Sequence, residues 1–241
     1  GGDGMIQTEG IFVGGSAISA PIIGEDFNWT GGDGTYQVLD DGGGNWRIKF
    51  LSSGTFTPLK NMVVDAFLVG GGGGAGSSYC GEGGAGYTTT VRSIVLTANT
   101  AYSIVVGAAG TNGNPSSAGG KTTAFTASAA GGKNTSNGTS SSKRPGGAGG
   151  SGGAGYVSPV ATTTGGTDGG DGTSSATTGG KGQGTTTREF GEADGTLYAS
   201  GGGSNLTATV SNSGNGGRNG ITSIEPADGI VVIRQHKEVA A

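Results

Sequence analysis

The sequence predicts a mainly β fold with no substantial α-helix: an antiparallel β platform carrying a glycine-rich region packed as polyglycine II helices. Three observations lead there. Short β-favouring runs alternate with turn residues, no segment shows helical periodicity, and glycine fills 58 of 241 positions, against a usual share of about 7%. Residues 1–30 are read as an N-terminal extension or a connection to an upstream segment. The opening Gly1 to Met5 has neither the basic region nor the apolar core of a signal peptide. Residues 31–130 are read as the β platform with a first glycine-rich excursion. Its strands are Tyr36 to Leu39, Trp46 to Leu51, Thr55 to Thr57, Met62 to Val69, Tyr87 to Leu96 and Ala101 to Val106. Trp46, Ile48 and Phe50 alternate with Arg47 and Lys49, so one face is expected in the core and the basic face in solvent. Residues 131–228 are read as the polyglycine II bundle with display loops, and 229–241 as a closing strand, Gly229 to Arg234, followed by a mobile tail.

Glycine and alanine bring little side-chain area, so burial of apolar surface holds less of this chain together than usual. The single cysteine, Cys80, cannot form an intramolecular disulfide and is expected to be reduced. What remains is the backbone. Residues 131–184 hold 19 glycines in 54 positions, clustered as in Pro145 to Gly155, without the Gly-X-Y repeat of collagen. A polyglycine II helix has three residues per turn and no internal hydrogen bonds, so every N–H and C=O must be met by neighbouring helices. Such close approach requires that Cβ be absent. A flexible Gly/Ser linker is the alternative reading of the same composition.

Charge and hydropathy narrow the partners. A net charge of −4 with 12% charged residues gives no electrostatic grip on nucleic acid. The longest apolar run, Met62 to Val69, is broken by Asp65 and far shorter than the roughly 20 residues that span a bilayer, so no membrane insertion is expected. Several chemical readings are set aside for simpler ones. Asp168 and Asp171, in a Gly/Asp run, suit a polar turn better than a calcium site, which needs stacked copies. Glu189, Glu192 and Asp194 are more simply paired with Arg188 than arranged as glycosidase carboxylates. His236, in the expected tail, and Cys80 lack the companions of zinc or nucleophilic chemistry. Gly70 to Gly74 follows a strand as a phosphate loop does, but the Lys-Ser/Thr ending is missing. No catalytic residue, metal or cofactor is expected.

Binding surfaces are better supported. The spacers between glycine clusters carry aromatic, amide and basic side chains suited to sugar recognition: Tyr79, Asn112, Asn114, Asn134, Asn137, Lys143, Arg144, Tyr156, Asn215, Arg218 and Asn219. The alternative is that they are solvated tips or caps of the glycine rows.

The string Asn45 to Pro58, followed by Val64 to Gly74, resembles the glycine-rich domain of tail and fibre proteins of phages and prophages of Gram-positive gut bacteria. Tyr102 to Gly107, Gly184 to Glu192, Gly195 to Tyr198 and Gly229 to Arg234 resemble further blocks of that family in the same order, so the likeness covers about residues 30–237. The chain departs from the more glycine-dense members around residues 204–228. The resemblance implies a non-enzymatic, host-facing adhesin of the virion, made in the host cytoplasm and placed at the phage tail or fibre tip. Its implied partners are a bacterial cell-surface glycan or protein and other tail-fibre chains, as a homotrimer or as a monomeric tip. An ice-binding polyglycine protein, a depolymerase and a purely structural virion spacer are the competing classes.

Overall fold

The computed structural model describes residues 26–138, 144–156, 164–173, 179–219 and 223–236. Ten strands run in chain order: β1 Phe27–Trp29, β2 Tyr36–Gly42, β3 Asn45–Phe50, β4 Gly54–Pro58, β5 Met62–Val69, β6 Thr88–Leu96, β7 Tyr102–Val105, β8 Thr122–Ala124, β9 Ala127–Ala129 and β10 Ile230–Gln235. They form two antiparallel five-stranded sheets, ordered β1-β4-β7-β8-β9 and β2-β3-β10-β5-β6. The only helical piece among the described residues is a 3-10 turn, Glu189–Gly191. The closing strand β10 enters the centre of its sheet, pairing Ile233 with Ile48 of β3 and with Ala66 of β5. Each expected strand is present within one residue at either end, except that β2 runs three residues past Leu39 to Gly42; β1, β8 and β9 are additional short strands.

The sheets enclose the main core. Trp46, Ile48 and Phe50 are buried as their alternation requires, and they meet Phe56 and Ile104 of the facing sheet together with Val64, Leu68, Val231 and Ile233. A ladder of rings, Phe27 on Phe56 at 5.3 Å and Phe56 on Phe50 at 5.4 Å, crosses that interface. A second cluster lies on the opposite face of the β2-β3-β10-β5-β6 sheet, where Phe67, Val69, Ile230 and Val232 pack under Phe190, Tyr198, Ala85 and Ala199.

From Gly70 onward the glycine rows leave the sheets and pack against one another. The hydrogen bonds of row 70–75 repeat every three residues. Gly70 and Gly73 donate to Tyr87 and Gly84, Gly71 and Gly74 to Gly120 and Ser117, and Gly72 to Ala227. Its carbonyls accept from rows 107–113, 130–135 and 214–217, so this row has six bonded neighbours. Row 82–87 behaves identically: residues 82 and 85 donate to 154 and 151, 83 and 86 to 217 and 214, 84 and 87 to 133 and 130. A β-strand would bond on two sides only; a threefold repeat with six neighbours is the packing of polyglycine II.

The rows sit so close that a Cβ at Gly83 would lie 1.9 Å from the carbonyl oxygen of Gly73, and one at Gly72 1.8 Å from that of Asn215. These contacts are with backbone and cannot relax by a rotamer change. The first glycine-rich excursion is thus laterally bonded too: rows 70–75 and 82–87 are mostly buried, and 107–120 is partly exposed. Thr122 pins bundle to sheet, its buried hydroxyl donating to Val69 O at 2.6 Å and accepting from Gly107 N at 2.9 Å.

Candidate functional site

Rows 70–75, 82–87, 107–113 and 224–229 run directly into or out of β5, β6, β7 and β10, so their other ends form a common distal tip. The turns there carry most of the expected binding residues. Asn137 Oδ1 accepts from Ser77 N at 2.7 Å, and its Nδ2 donates to Ser77 Oγ at 3.0 Å. Asn112 Oδ1 accepts from Ala75 N at 2.8 Å while its Nδ2 reaches Arg218 O at 3.3 Å and Ile224 O at 2.9 Å. Asn134 Nδ2 donates to Ser116 O at 3.0 Å, beside the turn containing exposed Asn114. Asn219 Nδ2 donates to Gly76 O. Arg218 Nη1 donates to Leu206 O at 3.0 Å.

These amides thus tie neighbouring turns together, and only part of their hydrogen-bonding capacity faces outward. Asn215 is not at the tip. It is buried within the bundle, where Oδ1 accepts from Ser200 N at 2.9 Å. Lys143 lies outside the described residues.

The aromatic part of the tip is open. Tyr79 is 44% exposed and its ring meets that of Tyr156 edge-on, centroids 5.9 Å apart. Tyr156 N donates to Arg144 O at 2.8 Å, which sets the guanidinium-bearing residue beside the ring pair. Behind them, Cys80 is buried with Sγ donating to Gly76 O at 2.9 Å. Burial, helped by the charge of Glu82, pushes its thiol up to about 11, which removes it as a nucleophile at neutral pH. Glu82 accepts from Asn219 N at 2.7 Å, yet burial outweighs that bond and the nearby Arg218, raising its carboxyl to about 7.

A second polar region lies on the outer face of the β2-β3-β10-β5-β6 sheet. The side chains expected in solvent here are not: Arg47 binds Asp41 through Nε and Nη2, each at 2.8 Å, and Glu189 through Nη1 at 2.7 Å. Lys49 Nζ lies 3.9 Å from the same buried Glu189. The reason is segment 186–198, which covers the face and brings carboxylates to it. Glu189 consequently pairs with Arg47 rather than Arg188, which turns to Asp168 at 3.5 Å. Arg234 holds Glu192 in a fork at 2.6 and 2.9 Å, and its guanidinium lies 4.1 Å over the Phe190 ring. A cleft of about 250 Å³ opens between Asp41, Arg47, Glu189, Glu192, Asp194 and Arg234. The carboxylates of Glu189 and Glu192 are each held by an arginine, an arrangement that suits an ionic latch better than general acid catalysis.

Asp65, the polar break in the apolar run, is fully buried on this face. Burial pushes its carboxyl up, but bonds from His236, Ser93 N and Arg234 more than offset this and hold it below the ordinary range. His236 is therefore ordered rather than mobile: its backbone N–H donates to Val63 O at 2.9 Å and Nδ1 lies 2.6 Å from Asp65 Oδ1. Ser93 Oγ lies 3.1 Å from His236 Nε2, completing the residue types of a nucleophile-base-acid relay. The same oxygen is 3.5 Å from Nδ1, a position over the ring and not along the Nε2 lone pair. Asp65 is also shared with Arg92 at 3.2 Å and Arg234 at 3.3 Å. The group is a charge network that fastens β5, β6 and β10.

The remaining motifs resolve into local structure. The amides of Gly70 to Gly74 are spent on neighbouring rows and present no phosphate cradle. Asp168 accepts from Thr186 Oγ1 at 2.5 Å and Thr187 N at 3.2 Å, whereas Asp171 pairs with Lys181 at 2.7 Å. Among the described residues, no three His, Cys, Asp or Glu side chains converge as metal ligands, and no helix is long and apolar enough to cross a membrane.

Comparison with curated proteins gives no match. A family model described as a glycine-rich domain matches residues 51–234, from the end of β3 to the penultimate residue of β10. That span takes in the bundle and the strands that root it, and the chain belongs to this glycine-rich domain family.

Proposed function

We propose that the chain is a non-enzymatic recognition module at the tip of a phage tail fibre, contacting a glycan or protein on the host-cell surface. The observation that carries the reading is the gathering of Tyr79, Tyr156, Arg144, Asn112, Asn134, Asn137, Arg218 and Asn219 at the distal end of one laterally bonded bundle. Turns that join rigid rows are positioned without being part of the core, which is the arrangement that lets a scaffold present variable side chains. The resemblance of Asn45 to Gly74 and the later blocks to phage tail and fibre proteins supplies the context: a virion surface, with other fibre chains joined at the platform side. Stacking rings and amides would meet a sugar or a polar protein loop.

The test is binding of the labelled full chain to intact cells of a panel of Gram-positive gut bacteria. Saturable binding to some strains, lost in a Tyr79→Ala/Tyr156→Ala variant with an unchanged melting curve, is the expected result. Absence of binding to every strain would favour the spacer reading. Thermal hysteresis in ice-growth assays would favour an ice-binding protein, and oligosaccharide release from cell envelopes a depolymerase.

A further inference from the structure

From the geometry and charge of the tip we infer that its ligand is an anionic glycan polymer, held by the Tyr79–Tyr156 ring pair and the guanidinium of Arg144. The inference rests on the reading of the tip as a recognition surface and names the chemistry that surface would select.

Tyr79 has φ +48°, in the left-handed region that a bulky residue rarely adopts. In a chain with 58 glycines, the residue that would relieve this position is the most abundant one available. Phe125 and Phe190 share this conformation but pack against the two hydrophobic clusters, whereas Tyr79 is 44% exposed and outside both. Strain kept for an exposed aromatic ring points to a use for that ring. Its edge-on neighbour Tyr156, with ring centroids 5.9 Å apart, makes a pair of rings of the kind that stacks on a pyranose.

From residue 83 to residue 167 the chain contains no aspartate or glutamate, although its net charge is −4. The same stretch carries Arg92, Lys121, Lys133, Lys143 and Arg144. The acidic residues are concentrated on the platform and in segment 168–194, where they pair with Arg47, Arg92, Lys181, Arg188 and Arg234. Arg144, by contrast, enters no ion pair among the described residues, and its Nε is buried with no hydrogen-bond acceptor there. Of the carboxyls near this end, Glu82 is committed to Asn219 N, and Glu225 lies one residue past the Arg218–Ile224 bridge. An uncompensated guanidinium beside two rings suits a sugar chain bearing phosphate or carboxylate groups. A neutral glycan would leave that charge unanswered.

The experiment is titration of the full chain with poly(glycerol phosphate), polygalacturonate and neutral dextran, alongside the whole-cell assay. Binding to at least one anionic polymer, weakening as salt rises and at least tenfold tighter than to dextran, is expected. Arg144→Gln should reduce it tenfold or more, Arg144→Lys less, and Tyr79→Ala should abolish it, with melting curves unchanged. The phosphate and carboxylate arms identify which anion is read. Equal binding to dextran, or indifference to Arg144→Gln, would overturn the inference. Cell binding that depends on Tyr79 without binding to either anionic polymer would overturn it too, while leaving the recognition reading standing; loss of both would end both.

Discussion

Replacing Gly83 by alanine is the sharpest perturbation of the bundle. The new methyl would start 1.9 Å from the Gly73 carbonyl oxygen, whereas carbon and oxygen settle at roughly 3.3 Å. Relieving the overlap requires rows 70–75 and 82–87 to separate by about an ångström or more. Four bonds surround the site: Gly83 N to Gly217 O and Gly202 N to Gly83 O at 2.9 Å, with Gly73 N to Gly84 O and Gly217 N to Gly73 O at 2.8 Å. If two are stretched beyond range in this dry interior, the cost is about 2–6 kcal/mol. The reduced entropy of the unfolded alanine chain returns only about 0.4–1 kcal/mol. A net destabilisation of about 1–5 kcal/mol follows, and for a domain of this size Tm falls by roughly 2–20 °C. Gly44→Ala is the comparison, since Gly44 has φ +81° and nothing within 4 Å. There the left-handed backbone alone costs about 1–2 kcal/mol. Calorimetry on both variants decides: if Gly83→Ala is no worse than Gly44→Ala, the close packing of the rows is not what holds the bundle.

Glu82→Gln tests the buried carboxyl. Burial raises its carboxyl to about 7 in the folded state, above the ordinary value of 4.5, so the folded state is unpenalised below about pH 4.5 and loses stability as pH rises through 7, by up to about 3 kcal/mol. The glutamine variant, which can still accept from Asn219 N, should match the parent near pH 4 and exceed it at pH 8 in urea unfolding. Asp65→Ala should destabilise by about 3–5 kcal/mol at pH 7, because Arg234 is left buried with half its partners. The Asp65 carboxyl is held low, so its contribution is present above the ordinary carboxylate range and is lost as pH falls through the depressed value; parent and variant should converge in strong acid. Asn112→Ala removes the side chain joining Ala75, Arg218 and Ile224 and should lower stability by about 2–3 kcal/mol. Tyr79→Gly should change stability by no more than about 1 kcal/mol, as relief of φ strain offsets glycine's entropy, while cell binding falls.

The platform was legible because its strands carry period-two patterns: Trp46, Ile48 and Phe50 announce their buried face, and Ile230 to Ile233 an interior strand. The strands β8 and β9 were not, since Thr122–Ala124 and Ala127–Ala129 are small residues held by their neighbours more than by propensity. The lateral bonding of glycines was legible as a need, but which rows meet depends on partners up to 155 residues apart, as between Gly72 and Ala227. The fate of Arg47 and Lys49 was hidden for the same reason: segment 186–198 covers them from far along the chain. Asp65 offered a signal, because a carboxylate inside an apolar strand demands a buried partner. At the tip, the structure separates the amides that brace neighbouring turns from the Tyr79–Tyr156 ring pair, a distinction that residue type alone does not carry.

Amide hydrogen exchange of Gly71, Gly73, Gly83, Gly84 and Gly86 in the intact chain bears most directly on the account. Their N–H groups donate only to neighbouring rows, so exchange should be slow and limited by global unfolding, at rates shared with the core strands β5 and β10. Exchange at the rate of an unstructured peptide, with β5 and β10 still protected, would show that the glycines form a loose spacer and that the threefold hydrogen-bonded bundle does not hold.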